Sequence, residues 1–473
     1  MKKFSQILFL AIFIISCTKN KSTTPESLQV NNFIFRGLNN YYLWQGKVPN
    51  LADTRFLSNN ELNSFLENEG NSYQFFESLL YQRGVTDKWS WIVDDYITLE
   101  QSFQGTSKTT GMEFGLVRYK DTRTNLFGYV RYVLPNTDAA NKNVTRGMFF
   151  NQVNGTQLTE DNYKNLLFSD SGYTINLANY NDGNPIENGN SIALTKSVNQ
   201  ENPVYITKTF TEGNKKIGYL MYNSFTATFD GQLNAAFAQL KSENVTDLIV
   251  DLRYNGGGSV RTATYLASMI TGQFTNQLFA SKRWNSKIME AISNNSSSID
   301  LTNEFTNTIN NEALNETLNS LKLTSVYFIT TNNSASASEL VINGLLPYIN
   351  VKLVGTKTRG KYVGSVTLYD SESLTRNNVN PNHTWAMQPI VLEIVNKLGE
   401  NDKDGFDPNI ELPEDYENLG VLGEKSDPLL ERTIQYMVTG SRGKFTTKNY
   451  QLKEISNSKL ELPTSNNMYV ELK

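Results

Sequence analysis

The chain has 473 residues, 39% of them hydrophobic and 19% charged, which is enough for two or three domains that each bury a core. A formal charge of −4 without any long Lys/Arg cluster argues against nucleic-acid binding, because phosphate recognition needs a concentrated basic face. One cysteine and one histidine offer neither a disulfide framework nor a metal-ligand cluster, so no metal and no cofactor is implied.

Lys2-Lys3 and the apolar run Ile7–Ile15, too short for a mature spanning helix, read as an export segment. The run ends Ile14-Ile15-Ser16-Cys17, which resembles a bacterial lipobox. That resemblance implies a signal segment over 1–17, a lipid on Cys17, a tether over 18–27 and contact with a membrane through the N-terminal lipid. The expected location is then the bacterial cell envelope, lipid-anchored at the periplasmic or outer-membrane surface. An ordinary secretory signal with an incidental cysteine is the plainer alternative.

Residues 28–88 read as a small helical N-terminal domain: Phe33, Leu38, Tyr41 and Tyr42 recur at helical spacing, and Tyr73–Arg83 is a second amphipathic stretch. From 89 to 202 the period changes to two. Met112–Tyr119 and Leu126–Leu134 alternate like paired strands around a turn at 121–125, and an amphipathic helix is expected over Glu160–Phe168. The Pro135–Gly155 stretch resembles the text of a protease-associated PDZ domain. Such domains take a peptide C-terminus as an added strand, which would make Gly111, Phe114, Gly115 and Leu116 the peptide-binding loop, with Glu113 an odd neighbour for a carboxylate. A β-rich insert holding two domains apart is the other reading.

The stretch 203–440 reads as an α/β core. Lys216–Tyr222 and Val245–Leu252 are strands, Phe229–Lys241 and Ser259–Ile270 helices, and the second strand runs into Asp251-Leu-Arg-Tyr-Asn-Gly-Gly-Gly258. Glycines between a strand and a helix let backbone approach a ligand and point N–H groups at it; no Gly-Lys-[Ser/Thr] follows, so a P-loop is excluded. Asp251 and Arg253 read as structural ions. The polar, asparagine-rich stretch 284–323 is either a lid or a surface loop, and the tail 441–473 carries no signal.

Val326–Thr330 reads as a buried strand, Thr331–Ala335 as a turn and Glu339–Leu346 as a helix, so Ser336 stands where strand becomes helix and where unpaired N–H groups favour negative charge. Ser336-Ala-Ser-Glu339 is equally a capping box. A serine nucleophile needs a base, and His383 has no evident orienting acid, whereas a buried lysine can serve if its pKa falls toward neutrality. Lys361 follows the next strand, Val351–Gly355.

These residues, with the Ser-Ala-Ser-Ala-Ser-Glu run at 334–339 and the Gly-x-x-x-x-Gly-Lys context of Lys361, resemble family S41, the C-terminal processing peptidases. Lys361 lies 25 residues after Ser336, as in that family. The resemblance implies Ser336 as nucleophile, Lys361 as general base and Glu339 as the residue that orients the lysine. It implies N–H groups of Gly257 and Ala337 as the oxyanion hole, and Ser334 and Ser338 as packing or capping residues. Pro347 and Ser365 depart from the aspartate and glutamine of many members. The implied fold class is multidomain α/β, with a helical N-terminal domain, a PDZ-like β-rich domain and a ClpP/crotonase-like α/β catalytic core. The implied activity is that of a serine endopeptidase acting on polypeptides, unfolded or at C-terminal segments. A catalytically inactive peptide-binding lipoprotein is the alternative.

Overall fold

The computed structural model describes residues 25–67, 70–169, 172–294, 297, 299–311, 313–441 and 452–472. The expected export segment and Cys17 lie outside them.

Helices Gln29–Tyr41, Asn59–Glu67 and Ser72–Ser78 close around Phe33, Leu38, Tyr42, Phe75 and Phe76, all fully buried. The third is shorter than its apolar spacing predicts, because the chain turns at Leu79 and reverses at Gln82, where φ is +46°. Its start is fixed by a capping box in which Asn71 accepts from Gln74 N–H and Gln74 reaches back to Asn71 N–H. This region then hands one strand, Trp91–Val93, to Ala386–Gln388 of the core.

The middle region is an antiparallel sheet in the order 454–457, 112–118, 126–133, 149–153, 173–179, 186–194. Met112, Phe114, Leu116, Val130, Phe150 and Ile175 fill its core. The stretch from Met112 to Leu116 is not a loop, as the PDZ resemblance suggests, but part of the strand Met112–Arg118, and the expected helix over 160–168 contracts to Tyr163–Leu167. One edge of that strand is taken by a segment from beyond the last helix, Glu454–Asn457.

The core sheet runs in the order 204–212, 215–222, 247–251, 325–330, 350–355, 410–411, antiparallel in its first pair and parallel thereafter. Successive side chains of a strand point to opposite faces, and the buried residues sort accordingly. Leu220, Tyr222, Leu248, Val250, Val326 and Phe328 share a cluster with helices Asp230–Ser242, Val260–Thr271 and Ala337–Leu345. Ile217, Tyr219, Met221, Ile249 and Ile329 pack instead with helix Pro428–Thr439.

The asparagine-rich stretch is neither a lid nor a loose loop: Phe305, Ile309 and Leu318 are buried, and Asn234 and Tyr265 of two core helices bond its backbone. A second sheet places strands 258–259, 468–469, 363–365, 390–395 and 278–284 side by side. Among the described residues, no helix is long and apolar enough to cross a membrane.

Candidate active site

In a parallel sheet the carboxyl ends of the strands are where loops converge on a ligand. Here the loop after Ser325–Thr330 and the glycine turn after Asp247–Asp251 meet there and are stitched together by the serines flanking Ser336. Ser334 Oγ donates to Leu252 O at 2.7 Å and Ser338 Oγ to Asn255 O at 3.0 Å, while Ala335 N–H donates to Asn255 O at 3.1 Å. Gly257 has φ +110°, and a Cβ there would stand 2.5 Å from Ser336 Cβ, so only glycine fits against the serine.

Below the turn, Arg253 is fully buried. It bonds Asp251 at 2.7 Å and Asp427 at 2.6 Å and reaches Glu414 at 3.4 Å. Asp251 also accepts from Tyr219 Oη at 2.8 Å. This cluster ties the ends of two strands to the start of the last helix, the structural role expected of Asp251 and Arg253.

Ser336 is fully buried and adopts φ +65°, ψ −116°, a conformation a non-glycine residue holds only under constraint. Part of the constraint is Glu339. Its carboxylate accepts from Ser336 N–H at 2.8 Å, Thr358 Oγ1 at 2.6 Å, Gly360 N–H at 2.6 Å and Lys361 N–H at 2.9 Å. Glu339 therefore hydrogen-bonds the lysine through its main-chain N–H and holds the turn that carries it. Burial raises the Glu339 carboxyl above its ordinary value, and these four hydrogen bonds pull it back down.

Lys361 is 2% exposed. Burial lowers its pKa to about 7, against the opposing pull of Asp87 and Glu339. The indole of Trp89 covers the amine at 5.3 Å from its ring centroid. Asp87, which accepts from Trp89 N–H at 3.0 Å, Ser90 N–H at 2.9 Å and Tyr42 Oη at 2.8 Å, fixes the turn that brings the indole there. Neither Trp89 nor Asp87 was marked by the sequence, because they fall where the helical stretch passes into the strand-rich one and no local pattern points them at the lysine.

Ser336 Oγ and Lys361 Nζ converge on one oxygen, donating to Asn466 O at 3.0 Å and 2.7 Å. They can lie no farther apart than those two bonds laid end to end, yet no hydrogen bond links them directly among the described residues. Ser336 is also the N-cap of helix Ala337–Leu345, with Glu339 closing the capping box that its sequence allows. Of the two expected oxyanion donors, Ala337 N–H stands at the helix start beside Ser336. Gly257 packs against Ser336, and its N–H donates to Asn255 Oδ1 at 2.9 Å.

The expected peptide-binding residues lie on and beside one strand of the middle sheet. Gly111 turns at φ +85° under Thr137, and Phe114, Gly115 and Leu116 lie on the strand edge occupied by 454–457. Ser458 Oγ donates to Glu113 at 2.5 Å. His383 does have an acid, Asp370 at 3.0 Å, but this pair bonds neither Ser336 nor Lys361. Pro347 directly follows Leu346, the C-cap of helix Ala337–Leu345. Ser365 Oγ lies 2.6 Å from Gln388 Oε1 and 2.9 Å from Asn467 Oδ1.

The family model of peptidase family S41 matches residues 216–410, and that of the peptidase S41 N-terminal domain matches residues 29–91. Among solved structures, the chain is similar to a candidate S41 protease from Bacteroides fragilis NCTC 9343, with 24% identity over 86% of this chain and 97% of that one and a TM-score of 0.65. A photosystem II D1 C-terminal processing protease aligns over 87% of this chain and 97% of its own, at 16% identity and a TM-score of 0.48. Mature CPAF complexed with lactacystin aligns over 83% and 94%, at 12% identity and a TM-score of 0.45. No curated protein matches the sequence.

Proposed function

The chain belongs to peptidase family S41, and from that premise we propose that it is a serine endopeptidase of the carboxyl-terminal processing type, working with Ser336 and Lys361. The observation that carries this reading is a lysine amine 2% exposed, with its pKa lowered to about 7, sharing an acceptor with a serine hydroxyl. An amine that is about half neutral at pH 7 can accept the proton of Ser336 as Oγ attacks a peptide carbonyl, and can return it to the leaving amine. The oxyanion is received by Ala337 N–H and by Gly257 N–H once its bond to Asn255 yields. A module that only binds peptide would have no use for a desolvated lysine held this way, since burying it costs stability.

The middle region is assigned the PDZ role of presenting polypeptide as a strand on the Met112–Arg118 edge. Exported and acylated at Cys17, the enzyme would act on polypeptides at the cell envelope. Hydrolysis of casein, measured by release of acid-soluble peptides, is expected for the wild type and to fall at least about 10³-fold for Ser336→Ala and for Lys361→Ala. Equal rates for all three would remove these residues from the chemistry.

A further inference from the structure

Residues 452–472 follow the last helix and carried no signal in the sequence, yet they run along both places where a substrate is expected. Glu454–Asn457 add to the open edge of Met112–Arg118, with Asn457 opposite Gly115 and Ser456 opposite Leu116. Ser458 N–H then donates to Phe114 O at 3.0 Å. Farther on, Met468–Tyr469 run parallel to Gly258–Ser259 on one side and meet Ser365 on the other, and Val470 N–H donates to Ser365 O at 3.0 Å. Between these two anchorages Asn466 O sits on Ser336 and Lys361.

The manner of this contact is that of an obstruction. For attack, the proton of Ser336 must point at the lysine lone pair and the carbonyl oxygen at the oxyanion donors. Here one carbonyl oxygen receives both side chains, so the hydroxyl is turned from its base. Asn466 is at φ +51°, off the extended course a strand-like substrate follows, and Gly257 N–H is engaged elsewhere. The fit is also incomplete. A cavity of about 110 Å³ borders Gly256, Gly257, Ser465 and Asn466, and Asn223 on its wall, 2% exposed, has among the described residues no hydrogen-bond partner for either side-chain polar atom. A polypeptide that bonds Asn223 would remove a standing cost that this segment leaves in place.

We propose that residues 452–472 are a tethered pseudosubstrate that competes with incoming polypeptide for the Met112–Arg118 edge and for the Ser336–Lys361 cleft, so that turnover requires its displacement. This rests on the peptidase reading only for the word turnover; the competition itself is a matter of binding. An attached strand acts at an effective concentration on the order of millimolar, so it holds the cleft against weak ligands and yields to tight or abundant ones. Asn467, whose side chain enters the buried Ser365–Gln388 pair, and Met468, 1% exposed, are its anchors at the cleft.

The probe is a fluorescent synthetic peptide spanning 452–472, titrated by anisotropy into the full chain carrying Ser336→Ala, alone and with Asn467→Ala or Met468→Asp. Thermal midpoints show whether each variant is folded, and Asn467→Ala, which leaves the strand pairing intact, serves if Met468→Asp is not. The expected result is binding at least tenfold tighter in the variants than in the parent. In the Ser336-containing protein the same variants should raise kcat/KM on casein at least tenfold, and added peptide should reverse the gain. Tighter binding with no hydrolysis in any form upholds the competition and sinks the peptidase reading. Normal hydrolysis with no change in binding or rate sinks the competition and leaves the peptidase reading standing. No change in binding in the folded variants, whatever the rates, overturns the proposal.

Discussion

The amine of Lys361 is where the site's chemistry and its stability meet. Its pKa is lowered to about 7 chiefly by burial, so kcat/KM should rise with pH as the amine loses its proton, half-maximal near 7, and a limb placed near 10 in a pH-rate profile would mean a hydrated lysine. The linkage has a definite sign. Between about 7 and the ordinary 10.5, the unfolded chain keeps a proton that the folded chain has released, so this group's contribution to stability grows with pH across that window. Below 7 both states are protonated and the folded one carries a buried charge. Lys361→Met should therefore raise the thermal midpoint at pH 6, by roughly 2–4 °C for each kcal/mol recovered, and by clearly less at pH 9.5. Differential scanning calorimetry at the two pH values checks this. Ser336 and Lys361 could be marked as the candidate pair because their spacing and residue types stand in the sequence. Glu339 was marked as the lysine's partner, but that it grips the backbone was not legible, since residue letters do not distinguish a carboxylate that bonds an ammonium from one that bonds an N–H.

At the scale of elements, strands and helices of the core were readable within a residue or two, since each carries a full period of buried residues: Asp247–Asp251 and Val260–Thr271 are examples. What failed were short pieces whose fate is decided by neighbours. The helix begun at Ser72 stopped early at a turn, and the strand Met112–Arg118, itself legible from its alternation, gained in 454–457 a second partner that no local pattern announces. The Arg253 cluster shows how the ends are held. Its two aspartates and Glu414 surround one guanidinium with 0% exposure, so Arg253→Leu strands buried carboxylates and should cost about 3–5 kcal/mol in urea unfolding. A loss below about 1 kcal/mol would mean that the carboxylates take up protons or water at little cost.

For the whole molecule, the regions are interlocked more closely than three successive domains would suggest. The N-terminal helices deliver Trp89 over the lysine of the core, Trp91–Val93 completes a sheet of the core, and a segment from the far end of the chain crosses the middle sheet before reaching Ser336. None of this was legible, because long-range docking leaves no period, and the final segment mixes apolar and polar residues without a regular pattern. Trp89→Ala tests the first of these links. Losing the indole admits water to the amine, and since burial is the leading cause of the lowered pKa, the alkaline-rising limb should move up by at least half a unit. Loss of the cation–π contact pulls the other way, by a smaller amount at a site this dry. An unmoved limb in a folded variant would show that the wall is made elsewhere.

The indole resting 5.3 Å from an amine that titrates near neutrality gives the protein an optical indicator of its own. Ammonium so near an excited ring draws electron density and dims emission, whereas the free base does so less. The difference spectrum between the protein and its Trp89→Phe form, followed across pH, would then report the protonation of one lysine without any substrate present.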